Sequence, residues 1–192
     1  MIAQSIESAI KRDITIGIVA FSEEQLSCIW NNLSAKTQGK LSEKIENNEV
    51  FFKAMENVQG DECDELFISF GYAKNADGEF HLRFGPMSTV GGRKRLNVLL
   101  TRAKERIHFF CSVQAGDFKL SENESVNLLK KWILFSENYQ ENSITQFPFS
   151  LTIQIMENKL TIENIQEQIS SAEELVTFQE ILESRGWLTS YT

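Results

Sequence analysis

Cysteine is scarce: a chain of 192 residues carries only Cys28, Cys63 and Cys111. Their number is odd, they lie far apart, and no CxxC or Cys/His spacing accompanies them. A disulfide framework and a zinc site are therefore not expected, and the three thiols read as reduced and mostly buried. Long apolar runs are also missing. The longest, such as Ile16–Phe21, have the length of a strand and not of a membrane span. No signal-peptide pattern is visible, so the cytoplasm is the expected location and no membrane partner is expected. The phosphate-cradling loop GxxxxGK[ST] is absent as well. Gly39-Lys40 is the only Gly-Lys pair; Leu41 follows it and the upstream glycine is missing. The chain has no internal repeat and no low-complexity segment.

What remains is a globular composition. Hydrophobic residues make up 42% and charged residues 24%, which argues against global disorder. Fourteen Phe and three Trp supply bulk for a core. The net charge of −8 is unevenly placed: residues 1–116 carry −1 and residues 117–192 carry −7. Such a balance argues against duplex binding by the whole surface, while leaving room for a local basic site in the first part.

The apolar pattern predicts a short helix over 2–11 and a strand over Ile14–Phe21, buried on both faces as in a parallel sheet. Ser22 with Gln25 forms a capping-box pattern that opens a helix through Leu33. Ser34–Lys40 reads as a polar closing stretch, and Leu41–Glu49 as another short helix. Further strands are expected at Val50–Met55, Leu66–Tyr72 and Arg106–Val113. Between the last two, Phe80, Leu82 and Phe84 alternate as a brief edge strand would. Leu96, Val98–Leu100 and Ala103 fit a buried helix. Four apolar strands separated by helices predict an α/β sheet. From about Ser121 a new pattern begins: a helix ending near Asn138, a polar linker, an alternating strand over Leu151–Ile155, and helices over 161–169 and 172–185 capped by Gly186. The boundary falls near 118–121 or 140–147.

Two segments have the residue types for chemistry. The first, Glu56-Asn-Val-Gln-Gly-Asp-Glu-Cys-Asp64, directly precedes a buried strand. Gly60 permits a tight turn or close backbone approach, and Asn57, Gln59 and Glu62 would line a crevice at strand ends. The other reading of this segment is a solvated acidic loop. The second segment runs from Gly91 to Arg106, and six of the fourteen residues from 93 to 106 are basic. Arg95 and Arg102, seven apart, are expected on one face of a helix. An anion site and a cationic helix end paired with the acidic tail are both open.

In this order and spacing the two segments resemble motifs V and VI of superfamily 1 helicases. Val58-Gln59-Gly60-Asp61-Glu62-Cys63-Asp64 is similar to motif V, and Arg95-Leu96-Asn97-Val98-Leu99-Leu100-Thr101-Arg102-Ala103-Lys104 to motif VI. Ile16–Gln25 is similar to motif IV. Within these helicases the chain most resembles superfamily 1B, the Dna2/Nam7-like group, and looks like one bacterial subgroup of large multidomain proteins. Val58 stands where an aromatic is usual, and Leu99 where a small residue is. The resemblance covers residues 14–113 well.

It implies a RecA-like domain over 1–118, with a mostly parallel sheet flanked by helices, followed by a small acidic α+β extension over 119–192. The domain would be the second of two, completing an ATP site whose phosphate loop and magnesium carboxylates belong to the first. By carry-over, Arg102 reaches the γ-phosphate, Glu62 meets the ribose, and Gly60 lets the backbone approach. Arg95 adds a second positive charge or only an ion pair. Gln59, Asn57 and Gln25 couple the site to single-stranded DNA or RNA. Mg2+ would be held mainly by the first domain, with no metal ligand supplied here. Lacking the phosphate loop and the Walker B acid, the chain alone is expected to be inactive. The rival reading is a non-catalytic interaction module derived from a helicase domain. A nuclease in residues 147–192 is disfavoured, since no PD…(D/E)xK pattern occurs there.

Overall fold

The computed structural model describes residues 1–119, 121–139 and 149–154. Its centre is a five-stranded sheet in the order β2-β1-β3-β4-β5. The first four strands, β1 (Ile16–Ala20), β2 (Val50–Ala54), β3 (Cys63–Ser69) and β4 (Ala103–Cys111), are mutually parallel. The fifth, β5 (Phe149–Gln154), runs antiparallel along β4, with Ile107 opposite Ile153. The expected α/β class with a mostly parallel sheet is the architecture found.

Side chains on alternating strand positions divide the interior into two layers. Ile16, Ile18 and Ala20 of β1 face one layer with Phe67 and Phe110. Helices α1 (Ile2–Ala9), α2 (Glu23–Asn31) and α3 (Ala35–Glu46) close that layer through Ile6, Leu26, Ile29 and Leu41. Val19, Leu66, Ile68, Ile107 and Phe109 face the other. There α4 (Gly92–Leu100) and α5 (Glu124–Tyr139) cover the sheet, with Leu96, Leu99, Leu129 and Ile133 packed inward. Every residue of β1 is buried, as its unbroken apolar run requires. The helix α5 and the strand β5 come from the part of the sequence expected to form the extension, and they pack on and prolong this same sheet.

Several boundaries differ from expectation. Ser34 is an N-cap: its hydroxyl accepts from the Thr37 N–H at 3.3 Å, so the stretch read as a polar close to the first unit starts α3. Phe80 and Phe84 pair with no strand. Their rings turn into the core, 5.5 Å apart and about 5–6 Å from Phe118, because burying two aromatics gains more than an exposed edge ladder. The third strand begins at Cys63, three residues early, since the Cys63 N–H bonds the Arg102 carbonyl at 3.0 Å. Only half of the Ser22/Gln25 capping box forms: Gln25 N–H donates to Ser22 Oγ, while the Gln25 side chain reaches Ser69. The helices expected over 161–169 and 172–185 lie outside the described residues.

Candidate functional site

The connection from β2 to β3 crosses β1 without a helix. It opens with a 3-10 turn, Met55–Asn57, whose Met55 is buried together with Val58 beside Leu96, Leu99 and Leu100 of α4. Those two apolar residues pin the segment to the sheet layer. Its polar residues Asn57, Gln59 and Glu62 stay exposed. Gly60 has φ +91, in the left-handed region that glycine occupies without strain, and nothing lies within 4 Å of where a Cβ would sit.

α4 ends at Leu100, with Thr101 as its C-cap. Ala103 is already the first residue of β4, paired with Cys63. Arg102 therefore stands in the turn between helix and strand, which corrects the expectation that it shares a helical face with Arg95. Among the described residues its guanidinium is held by backbone and hydroxyl acceptors and by no carboxylate: Nε donates to the Val98 carbonyl at 2.8 Å, Nη1 to the Asp61 carbonyl at 2.9 Å, and Nη2 to Thr101 Oγ1 at 3.3 Å. Two of its five N–H groups have no protein partner among the described residues. The 58–62 segment and the helix-to-strand turn meet here, so Gly60, Glu62 and Arg102 share one corner at the amino-terminal ends of β3 and β4. Glu62 lies 3.5 Å from Lys104, both about half exposed.

Asp61 closes the corner from the other side. Both its carboxylate oxygens accept from Lys53 Nζ of β2, at 2.9 and 2.8 Å. Asp64 ties the start of β3 to the residue before β1, accepting from the Thr15 N–H and hydroxyl at 2.8 and 2.7 Å.

Arg95 does other work. Its Nη1 donates to the Pro86 carbonyl, the Thr89 hydroxyl and the Val90 carbonyl at 3.0–3.2 Å, bracing the loop ahead of α4. Among the described residues these acceptors are its partners, and none is a carboxylate. Gln25 is also remote from the corner. Its amide donates to Ser69 Oγ at 2.8 Å, at the carboxyl end of β3, the opposite edge of the sheet.

Arg106 belongs to an ionic cluster built around a buried carboxylate. Its Nη1 donates to Glu65 Oε1 at 2.7 Å. Arg12 grips both oxygens of the same carboxylate at 2.6 and 2.7 Å, and His108 Nε2 lies 2.9 Å from Oε2. Burial alone would push the Glu65 carboxyl upward, but Arg12, His108 and Arg106 overcome it and bring it down to about 2. Glu65 is therefore an ionised acceptor, and His108 donates to it from Nε2. Burial depresses the His108 pKa, against the pull of Glu65, and the ring stacks on Phe67 at 4.3 Å. The acid opening the ELFIS run was the only sign of this cluster in the sequence. Arg12 and Arg106 lie 53 and 41 residues away.

Among the described residues no three His, Cys, Asp or Glu side chains are grouped to hold a metal ion, and no helix is long and apolar enough to cross a membrane. The thiols of Cys63 and Cys111 are pushed up to about 12 by burial and are not nucleophiles.

A mostly parallel α/β sheet flanked by helices hosts many unrelated functions, so the family of this domain is read from its relatives and not from the fold. The AAA domain family profile matches residues 1–114, more than half of the chain, and the chain belongs to that family. It is 33% identical over 147 residues to an uncharacterized ATP-dependent helicase of Mycoplasma pneumoniae, covering 72% of this chain and 13% of that protein. A second uncharacterized ATP-dependent helicase, from Mycoplasma genitalium, is 32% identical over 144 residues, 70% of this chain and 12% of that protein. The chain thus spans about an eighth of the length of these relatives. No solved structure matches.

Proposed function

We propose that this chain is the second RecA-like domain of a superfamily 1 ATP-dependent helicase. It completes an ATP site whose phosphate loop and magnesium ligands stand on another domain, and it forms part of a track for single-stranded DNA or RNA. The observation that carries the reading is the corner itself. Arg102 is oriented by the Asp61 and Val98 carbonyls and keeps two donors available, beside a glycine turn open to close approach. The chemistry of the corner fits a nucleotide. A planar, always charged guanidinium suits an anion with charge spread over several oxygens. Glu62, exposed next to Gly60, suits a ribose hydroxyl. ATP supplies the bond that is hydrolysed; this chain's residues bind it, orient it and neutralise developing charge. The names of the two relatives point the same way.

The test is Arg102→Ala in the two-domain protein, with melting temperature and ATP turnover measured together. Loss of a transition-state cation should lower turnover by on the order of 10³-fold, and Arg102→Lys should rescue poorly because an ammonium makes no bidentate contact. Exposed Lys94, on the same basic helix, is the control, and Lys94→Ala should leave turnover unchanged. Normal turnover per folded molecule of Arg102→Ala would remove the assignment.

A further inference from the structure

We infer that Lys53 and Asp61 are positioning residues for Arg102, acting on it through the backbone of the 58–62 segment. The inference rests on the reading of Arg102 as the cation of a shared ATP site. Its basis is a continuous chain of short contacts that no sequence motif contains. Lys53 Nζ clamps the Asp61 carboxylate through both oxygens, at 2.9 and 2.8 Å. The carbonyl of that same Asp61 accepts from Arg102 Nη1 at 2.9 Å. One residue is thus gripped at its side chain by the sheet and in turn grips the guanidinium with its main chain.

The pair is well placed for the task. Asp61 is about one-fifth exposed and Lys53 two-fifths, so the ion pair is partly shielded from water. Lys53 lies on β2, whose backbone is hydrogen-bonded to β1 throughout, and its ammonium passes 6.0 Å from the Phe51 ring. The anchor is therefore a strand and not a second loop. Val58 and the bond from the Cys63 N–H to the Arg102 carbonyl hold the two ends of the 58–62 segment. The turn at Gly60, φ +91, lies between them, and the Asp61 carboxylate is the point at which β2 grips that turn. Without the clamp the Asp61 peptide would tilt, and Arg102 would lose the acceptor that sets the direction of Nη1. The remaining guanidinium bonds, to the Val98 carbonyl of α4 and to the hydroxyl of its C-cap Thr101, come from residues just ahead of Arg102 in the chain and do not tie it to β2.

Three variants of the two-domain protein test this: Lys53→Met, which keeps the aliphatic stem, Asp61→Asn, which keeps the carbonyl, and the double variant. Positioning predicts that each single change lowers kcat by on the order of tenfold, with KM for ATP nearly constant, because a misaimed group costs the transition state more than the ground state. The double variant should be no worse than either single one. The exchanged pair Lys53→Asp with Asp61→Lys should recover part of the loss. In the chain alone, the Arg102 Nε–H signal in NMR should broaden or move in Lys53→Met. Arg102→Ala is measured alongside. If Arg102→Ala is inactive while Lys53→Met and Asp61→Asn turn over normally, the positioning role is wrong and the ATP-site reading stands. If Arg102→Ala itself turns over normally, the ATP-site reading falls. A drop in melting temperature with unchanged kcat per folded molecule would make the pair a purely structural clamp and overturn the inference.

Discussion

Glu65 is 2% exposed, and two arginines and a histidine converge on it. A carboxylate in that position is stable only while it is ionised and its partners remain. Its folded pKa of about 2 lies below the ordinary value of 4.5, so the folded state releases this proton more readily than the unfolded chain. The resulting stabilisation is complete above about pH 4.5 and disappears as pH falls through about 2. It amounts to about 2–3 kcal/mol, taking into account that Arg12 is partly solvated. Glu65→Gln should therefore lower the denaturation midpoint clearly at pH 7, and the gap from the parent should close as acid is added toward pH 2. A gap constant across that range, in urea titrations, would show that ionisation is not what the site uses. Arg102 and Glu65 differ in how legible they were. Arg102 lay within a ten-residue motif and its location was readable, but its partners are main-chain carbonyls, which leave no mark in the sequence. Nothing local announces that Arg12, Glu65 and Arg106 meet, because the sheet register sets Arg106 beside Glu65 and Arg12 arrives from the turn after α1.

Elements were most legible where burial is two-sided. The run ITIGIVAF could only be a central strand, and its pairing with both β2 and β3 follows. The Ser22 cap was readable because capping is a local event. The start of α3 was not, since Ser34–Lys40 has few apolar residues and its helix depends on Leu41 and Thr37 packing inward. The end of α4 was missed for a related reason. Ala103 is apolar and fits either a helix or a strand, and only its pairing with Cys63 decides. α4 makes a further demand at its first residue. A Cβ on Gly92 would lie 2.1 Å from the Met87 carbonyl oxygen, a backbone atom that cannot swing aside, and Gly91 before it is left-handed at φ +86. Gly92→Ala should cost about 2 kcal/mol or more, despite the better helix propensity of alanine. In α3, Gly39 meets nothing within 4 Å, and Gly39→Ala should stabilise by about 0.5–1 kcal/mol. Urea unfolding of the two variants should show shifts of opposite sign; equal shifts would contradict the close approach of α4 to the turn at Met87.

At the scale of the whole molecule, the acidic excess sits after residue 116, while the basic residues cluster where Arg102 turns into β4. No phosphate loop accompanies that corner, and the chain alone should hydrolyse ATP no faster than buffer. A coupled turnover assay on purified chain checks this, and activity abolished by Arg102→Ala would contradict a shared site. The crossing from β2 to β3 has a consequence in length. Ala54 and Ser69 lie level on either side of Ala20, so the chain must descend from one edge of the sheet to the other between Ala54 and Cys63. That descent is about 20 Å along the strands and about 10 Å across them. Nine Cα steps reach about 30 Å when fully drawn out, and the 3-10 turn at Met55–Asn57 consumes part of that reach. The strap has only a few ångströms to spare over that span, about 4 Å by this reckoning. A pull on Gly60 or Glu62 is therefore passed to the last residue of β2 and the first of β3, at opposite rims of the sheet.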